Sequence, residues 1–240
     1  MKIFVSSNDS QAGKTLISAG LAAVMQSLGY KTGYHKTIQL GAEESFGFLV
    51  SPDVAYVKNI DPYIESICSY IFKTTAAPAI AAELENTHID PKVILKDFKN
   101  LSNKCDTTIV EGADGLMVPI VDEIVMSDIV KILDLPVLFV INPQVGNINS
   151  ILLSLNQAKS LGLKTIGVVI NKFPYYANDV AIKSIPRIIE EYSDARVLGI
   201  VPQLPPDEDL SPANLINLTL NSVDIEQILG IPLPKLHFGT

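Results

Sequence analysis

Short apolar segments alternate with longer segments of helical periodicity along most of the chain. This alternation predicts strands separated by helices. The predicted strands are Ile3–Ser6, Thr32–Lys36, Thr107–Glu111, Pro136–Asn142, Thr165–Asn171 and Val197–Val201. The predicted helices are Lys14–Ser27, Ala79–Glu85, Pro91–Asn100, Asp128–Leu133, Asn149–Ser160, Val180–Tyr192, Pro212–Leu220 and Val223–Leu229. Irregular sequence is expected after Lys36 to about Val54.

Residues at the helix ends support several of these boundaries. Asp90 and Pro91 suit the N-cap and the first helical position, and Ser127 is a candidate N-cap for the helix that follows it. Gly29 and Gly162 suit positions just beyond helix C-termini, where glycine is common.

The strand predicted at Pro136–Asn142 is almost continuously apolar, which is typical of a sheet buried on both faces. Together with the alternation of strands and helices, this predicts an α/β fold with a doubly wound, mostly parallel sheet flanked by helices. No repeat, low-complexity stretch or linker is evident. We therefore expect residues 1–240 to form a single α/β domain, with a short C-terminal helical region and an extended tail after Gly230.

Composition narrows the possible functions. The 240 residues are 48% apolar and 18% charged, the profile of a compact globular protein. With 18 Lys and Arg against 26 Asp and Glu, the net charge of −8 argues against nucleic acid as the main partner. No apolar run reaches the roughly 18 residues of a membrane span, and the N-terminus lacks a signal-peptide pattern. The isolated Cys68 and Cys105 indicate neither a disulfide framework nor a zinc site, so we expect a cytoplasmic protein.

The segment between the first predicted strand and the first predicted helix has the layout of a phosphate-binding loop. It ends in Gly13-Lys14-Thr15, so backbone N–H groups can surround phosphates, Lys14 can add a positive charge and the Thr15 hydroxyl can ligate Mg²⁺. Asn8 stands where the usual pattern has a glycine, and Asn is one of the few other residues that tolerate positive φ. The sequence therefore predicts a nucleoside triphosphate site made by Asn8, Asp9, Ser10, Gln11, Ala12, Gly13, Lys14, Thr15 and Leu16.

Other polar and glycine-bearing turns follow the remaining predicted strands, at the sheet edge where α/β proteins bind ligands. Glu111 is placed to hold Mg²⁺, directly or through water, unless it is only an exposed acid in a glycine-rich turn. The small Gly112, Ala113 and Gly115 would let phosphate or substrate approach the backbone. Asp53 is a weaker metal candidate, because an acid in this setting is more often a helix cap.

Lys36 is a second lysine at a predicted strand end. It could stabilise charge on a phosphoryl group in transfer, or it could simply be solvated. His35, His88 and His237 are too scattered to indicate a catalytic dyad, and no hydrolase nucleophile motif is present. The residues alone therefore indicate nucleotide chemistry without a covalent nucleophile.

Taken together, these features resemble the dethiobiotin synthetase family over most of the chain, from Phe4 to about Pro202. Ser6–Thr15 is similar to the family loop T-G-T-D-T-x-V-G-K-T, Tyr34–Thr37 to G-Y-K-P, Val110–Gly115 to V-E-G-A-G-G, Pro119–Asp122 to P-x-x-D, and Val201–Leu204 to I-P-x-L. The order and spacing of these segments make the resemblance specific.

The resemblance implies an activity and a set of roles. In that family CO₂ carboxylates an amine of 7,8-diaminononanoate, ATP phosphorylates the carbamate, and the second amine closes the ring. Thr15, Asp53 and Glu111 would hold Mg²⁺, Lys14 and the loop amides would hold the phosphates, and Lys36 would stabilise the carbamate and the transferred phosphoryl group. Contacts to the nucleotide, including its base, would also come from Gly112, Ala113, Asp114, Asn171, Lys172, Pro202, Gln203 and Leu204.

The chain departs from the family pattern mainly in the wall that would face the diamine. Leu40 stands in place of a serine, and Thr75–Ala79 lacks the serine and the histidine of the family's P-x-S-P-H. In the nucleotide half, Ser7 and Asp114 replace glycines, and Lys172 replaces a frequent aspartate. Because lost hydrogen-bonding groups weaken or change recognition, we expect Leu40, Thr75, Ala77 and Ala79 to alter how the diamine is bound.

Three interpretations remain open at this point. The chain is a dethiobiotin synthetase with a divergent substrate wall, an ATP-dependent ligase for another amine or acid, or a nucleotide-dependent switch without ligase activity. A partitioning-type ATPase is disfavoured because the loop lacks the extra lysine near its start that those proteins use.

A homodimer is implied by the resemblance, because the family builds its substrate pocket across two subunits. Ala76–Ala82 and Asn142–Ser150 are candidate interface segments.

Overall fold

The structure is a computed structural model that describes residues 1–143, 148–176, 179–205, 208 and 210–230. The tail expected after Gly230, His237 and part of the segment Asn142–Ser150 lie outside these residues. The strands are β1 Lys2–Ser7, β2 Thr32–Gln39, β3 Glu43–Ser45, β4 Phe48–Val50, β5 Glu65–Ile71, β6 Thr107–Glu111, β7 Pro119–Val121, β8 Ile124–Val125, β9 Val137–Ile141, β10 Thr165–Phe173 and β11 Val197–Pro202. The α-helices are α1 Lys14–Ser27, α2 Pro52–Ile60, α3 Pro78–Leu84, α4 Pro91–Ser102, α5 Met126–Leu133, α6 Ile148–Ser160, α7 Val180–Tyr192, α8 Pro212–Ser222 and α9 Ile225–Leu229.

The main sheet has seven strands in the order β11-β10-β9-β1-β6-β2-β5, and each of its neighbouring pairs is parallel. The strands β3 and β4, and likewise β7 and β8, form small antiparallel hairpins. The prediction of a doubly wound, mostly parallel sheet flanked by helices is confirmed. Because β1, β6 and β2 are neighbours, the segments that leave their carboxyl ends meet at one edge, where Glu111 pairs in register with both Val5 and Lys36.

Helices cover both faces of the sheet and create two apolar cores. Along β9, Val137, Phe139 and Ile141 contribute to the core under α3–α7, whereas Leu138 and Val140 contribute to the core under α1, α2, α8 and α9. All five side chains are buried, which explains why this strand is almost continuously apolar. Within the described ranges, none of the helices is both long and apolar enough to cross a membrane.

The structure differs most from the sequence prediction between Lys36 and Ile71. The expectation of irregular sequence up to about Val54 is wrong, because β2 continues to Gln39, the β3–β4 hairpin follows and α2 begins at Pro52. The edge strand β5 was not predicted, since its side chains are half-exposed and mix polar with apolar types instead of forming an apolar run.

Two helix-capping predictions have different outcomes. Asp90 is the N-cap of α4 and its carboxylate accepts the Lys92 N–H at 2.8 Å, as expected. The expectation that Ser127 caps the next helix is wrong, because α5 begins at Met126, two residues before the predicted Asp128, and Val125 is its N-cap. The Asp128 carboxylate accepts the Val125 N–H at 3.1 Å and thereby closes the first turn.

Candidate active site

The segment Ser7–Gly13, from the last residue of β1 to the residue before α1, is called the phosphate loop here. Asp9 caps one turn of 3-10 helix at Ser10–Ala12, and Gly13 then adopts a left-handed conformation with φ of 86°. A Cβ atom at Gly13 would lie 2.2 Å from Asn171 Nδ2, so both the backbone and the available space require glycine. Asn8 does not have positive φ, so the conformational reason that we gave for an asparagine at that position is wrong.

The first charged group of the site is Lys14, which is buried at the N-terminus of α1. Its Nζ donates to Ser7 Oγ at 2.9 Å and contacts the Asp9 carbonyl oxygen at 3.4 Å. The Ser7 hydroxyl in turn donates to the same carbonyl oxygen at 2.5 Å. The pKa of Lys14 is lowered to about 8, mainly by burial and then by the nearby Lys36 ammonium, against the opposing effect of nearby carboxylates.

The second charged group is Lys36, which is also buried. Its Nζ lies 2.5 Å from Asp53 Oδ2 and 2.7 Å from Glu111 Oε1. Burial alone would lower the pKa of Lys36, but the charges and hydrogen bonds of the two carboxylates raise it above the ordinary lysine value. Lys36 is therefore a fixed ammonium ion, and the alternative of a merely solvated lysine is excluded.

Glu111 is the centre of this polar network and is itself fully buried. Its Oε1 accepts hydrogen bonds from Lys36 Nζ and from Thr15 Oγ1, the latter at 3.0 Å. Its Oε2 accepts the Tyr34 hydroxyl at 2.9 Å, and its backbone carbonyl accepts the Thr37 hydroxyl at 3.1 Å. The alternative of an exposed acid in a glycine-rich turn is therefore wrong for Glu111.

The side chains that could hold a divalent cation converge at this network. Ser51 caps α2, and Asp53, which we expected more often to be a cap, lies in the first turn of that helix with its carboxylate turned to Lys36. Thr15 and Glu111 supply a hydroxyl and a second carboxylate. These are hard oxygen ligands of the kind that Mg²⁺ prefers.

A cleft of about 640 Å³ opens beside these groups. One side is formed by the phosphate loop, α1 and the turn after β6. The opposite side, called the substrate wall here, is formed by Ile38, Gln39, Leu40, Thr75, Ala76 and Ala77. Three of the four residues expected to alter substrate recognition therefore border the same cleft as Lys14 and Lys36, whereas Ala79 lies in α3 and does not.

The end of β10 holds the phosphate loop from the other side. Asn171 Nδ2 donates to the Ala12 carbonyl at 2.9 Å, and Lys172 Nζ donates to the Gln11 carbonyl at 3.1 Å. Asn171 Oδ1 is buried and has no hydrogen-bond partner among the described residues. The Gln203 N–H donates to the Phe173 carbonyl oxygen, which brings Pro202, the last residue of β11, and the following Gln203 and Leu204 close to this strand end. None of these three residues lines the 640 Å³ cleft.

The remaining predicted residues take up several positions around the loop. Asn8 reaches Ser150 Oγ in α6 at 3.3 Å, and Leu16 packs against the core under α1. Ala113 and Asp114 line the cleft, whereas Gly112 is packed against Phe4. Asp114 adopts a left-handed conformation with φ of 52°, which fits a position where the family motif has glycine.

Tyr34, Ile38 and Gln39 belong to the site but were not predicted from the sequence. The available signal was the alternation of side chains along a strand, because Tyr34 and Lys36 are two residues apart and share one face of β2. Ile38 and Gln39 were missed because β2 was predicted to end at Lys36. In the structure they are the last residues of β2, before the β3–β4 hairpin.

Comparisons with known proteins show the family of the chain and its fold. A family model described as an AAA domain matches residues 1–211. The ATP-dependent dethiobiotin synthetase of Bacillus licheniformis is 32% identical over 230 residues, which are 95% of each chain. That of Bacillus subtilis is 31% identical over 204 residues, 84% of this chain and 87% of the relative. A solved MinC:MinD cell division protein complex of Aquifex aeolicus matches with a TM-score of 0.59 and 16% identity, covering 99% of both chains, and this likeness shows the fold alone.

Proposed function

The chain belongs to the ATP-dependent dethiobiotin synthetase family, and we propose that it uses ATP to join carbon dioxide to 7,8-diaminononanoate as a cyclic urea, dethiobiotin. The observation that carries the proposal is the contact of the buried Lys36 ammonium with Glu111 and Asp53 beside the phosphate loop. In this proposal the helix N-terminus binds phosphate, the substrate wall takes up the organic substrate, and Lys36 supplies a fixed positive charge to the same cleft.

The proposed reaction has three balanced steps. One amine attacks CO₂ and loses a proton, which gives a carbamate. A carbamate oxygen then attacks the γ-phosphorus of ATP and ADP leaves, which gives a carbamic–phosphoric anhydride. Finally the second amine attacks the carbonyl carbon and loses a proton while phosphate leaves. None of these steps needs a covalent bond to the protein, so positioning and charge neutralisation carry the catalysis.

In this proposal the two buried lysines have separate roles. Lys14 and the N–H groups of the phosphate loop bind the β- and γ-phosphates, and Lys14 exchanges its contact with Ser7 for a phosphate oxygen. Lys36 stabilises the negative charge that passes from the carbamate to the transferred phosphoryl group. The carboxylates of Glu111 and Asp53 keep Lys36 protonated and fix the position of its ammonium group.

Thr15, Asp53 and Glu111 would hold Mg²⁺ in the proposed site. Their hard oxygen atoms suit this ion. The contacts of the Asp53 and Glu111 carboxylates with the Lys36 ammonium group support the proposal, because they indicate a position where positive charge is stabilised. When bound, Mg²⁺ supplies neutralisation of the charge on the triphosphate.

We further infer that the base of the nucleotide lies beyond the phosphate loop, near the ends of β10 and β11. The buried Asn171 Oδ1 supports this inference, because an acceptor without a partner among the described residues suits the amino group of adenine. Lys172 and the segment Pro202–Leu204 would border the base on its open side.

A second candidate function is an ATP-dependent ligase for another amine or acid. The observation that favours it is the partly apolar substrate wall, in which Leu40, Ala76 and Ala77 offer no side-chain hydrogen bonds to a polar ligand. The two ligase proposals differ in their substrates and share their phosphoryl chemistry.

We also expect a cytoplasmic homodimer, and sedimentation velocity would test its assembly.

A coupled phosphate-release assay tests the proposed function. It uses ATP, Mg²⁺ and bicarbonate, with and without 7,8-diaminononanoate, and mass spectrometry identifies the cyclic urea. Diamine-dependent phosphate release with that product would support the proposal. Nucleotide binding without diamine-dependent turnover would contradict it and favour another substrate or a switch.

The variant Leu40→Ser tests the substrate wall in the same assay. Since the change adds a hydroxyl group in the cleft, we expect a lower KM for the diamine and an unchanged KM for ATP. Equal changes in both constants would argue that Leu40 does not face the diamine.

A further inference from the structure

The Tyr34 hydroxyl is the one donor to Glu111 Oε2 among the described residues, at 2.9 Å. Both side chains are completely buried. The other carboxylate oxygen, Oε1, receives Thr15 and Lys36, which line the cleft. The two oxygens of one carboxylate are thus divided between the core and the cleft.

This division restricts how Glu111 can present itself to a cation. A carboxylate that turns about its terminal bond could offer either oxygen or both. Because Oε2 accepts the Tyr34 hydroxyl in the core, this rotation would break a buried hydrogen bond. Glu111 therefore offers the single oxygen Oε1 to the cleft, which suits the octahedral and sterically demanding shell of Mg²⁺.

We propose that Tyr34 is a positioning residue that fixes Glu111 with one oxygen directed to the magnesium–nucleotide site. The proposal rests on the proposed function only in assigning Mg²⁺ to Glu111. Hydrogen-bonded partners behind metal ligands orient those ligands, and their loss commonly reduces metal affinity by about 10- to 100-fold.

The chain contains a matched control for the hydroxyl of Tyr34. Tyr56, in α2, packs against the same apolar core, and its hydroxyl is buried without a hydrogen-bond partner among the described residues. Tyr34→Phe and Tyr56→Phe therefore remove the same atom from the same core. Only the first of these variants removes a contact with Glu111.

The test measures ADP binding by isothermal titration calorimetry, once with Mg²⁺ and once with EDTA, for the unchanged protein and both variants. The ratio of the two affinities reports the metal-dependent part of binding. In Tyr34→Phe we expect this ratio to fall at least about tenfold while the affinity in EDTA stays within about twofold. Tyr56→Phe should keep the ratio of the unchanged protein.

Two results would overturn the proposal. An unchanged ratio in Tyr34→Phe would mean that Glu111 needs no support from the hydroxyl. An equal loss of affinity with Mg²⁺ and with EDTA would mean that the hydroxyl only stabilises the fold. Because no diamine is present, a failed synthetase reaction leaves this test intact, whereas the absence of any Mg²⁺ effect in the unchanged protein would refute the metal assignment itself.

Discussion

Replacing Lys36 by methionine is the sharpest perturbation of the buried charge network. Methionine has a similar length but no charge, so Lys36→Met leaves Glu111 and Asp53 without their shared ammonium ion. Removing one partner of a buried ion pair costs about 3–5 kcal/mol of stability. Because the Asp53 side chain is 22% exposed and retains some solvation, we expect the lower end, about 3 kcal/mol. For a domain of this size that loss lowers the unfolding midpoint by about 6–12 °C.

The assay for Lys36→Met is thermal unfolding without nucleotide or metal, followed by circular dichroism. Lys73→Met is the control, since Lys73 forms an ion pair with Glu44 at the surface and exposed pairs contribute little. Added Mg²⁺ should restore part of the lost stability in Lys36→Met, because the freed carboxylates can then bind the cation. Turnover should fall by about 10²–10³ while ADP affinity changes little. An unchanged midpoint, or equal losses of turnover and ADP affinity, would refute this account of Lys36.

Two further predictions concern backbone conformation and pH. Gly13→Ala should abolish nucleotide binding and should lower stability more than Gly29→Ala does. Both glycines have positive φ, but of the two only Gly13 has neighbouring side chains within 4 Å of an added Cβ atom. Calorimetry measures the binding and urea unfolding measures the stability. Burial lowers the pKa of His35 to about 4, below the value of about 6.5 in the unfolded chain. Between these two pH values the unfolded chain therefore binds more protons than the folded protein. The stability that is present above about pH 6.5 is lost as the pH falls through this window. Urea unfolding should show that the free energy of unfolding is about 2 kcal/mol lower at about pH 5 than at about pH 7. His35→Gln should remove this difference, and His88→Gln, at an exposed position, should retain it. An unchanged difference in His35→Gln would contradict the assignment to His35.

The sequence was sufficient to predict the parts of the fold that depend on periodic burial. Strands such as β9 are buried on both faces, so their composition alone identifies them. It was insufficient for β5, whose half-exposed side chains at the sheet edge follow no simple pattern. The structure between Lys36 and Ser51 was also missed, because a short strand extension and a hairpin of two three-residue strands have little periodicity.

The candidate site shows the same limit at the level of side chains. Lys14, Lys36 and Glu111 could be named because they occur in motifs, and each of them is buried at the cleft. The partners of these residues could not be named, because their contacts join distant parts of the chain. The hydrogen bond between Tyr34 and Glu111 spans 77 positions, and only the parallel pairing of β2 with β6 brings the two residues together.

Three side chains at the phosphate end of the sheet stand where the family segments have glycine. They are Ser7 in the phosphate loop, Tyr34 in β2 and Asp114 after β6. Ser7 accepts a hydrogen bond from Lys14, Tyr34 donates to Glu111, and the Asp114 charge acts to raise the pKa of Lys14. The charges of the site are therefore held by protein groups before any nucleotide binds.

Ser7 and Tyr34 differ in whether their contacts can persist in the nucleotide complex. The Tyr34 hydroxyl bonds the oxygen of Glu111 that faces the core, so a bound nucleotide does not compete with it. The Ser7 hydroxyl bonds Lys14 Nζ, the group proposed to bind phosphate, so it does compete. Ser7→Ala should therefore lower the stability of the nucleotide-free protein by about 1.5–3 kcal/mol, the range for a hydrogen bond to a charged group. In calorimetry, Ser7→Ala should bind ADP at least as tightly as the unchanged protein, whereas Tyr34→Phe should bind Mg²⁺–ADP more weakly. An equal weakening in both variants would mean that Ser7 supports nucleotide binding and does not compete with it.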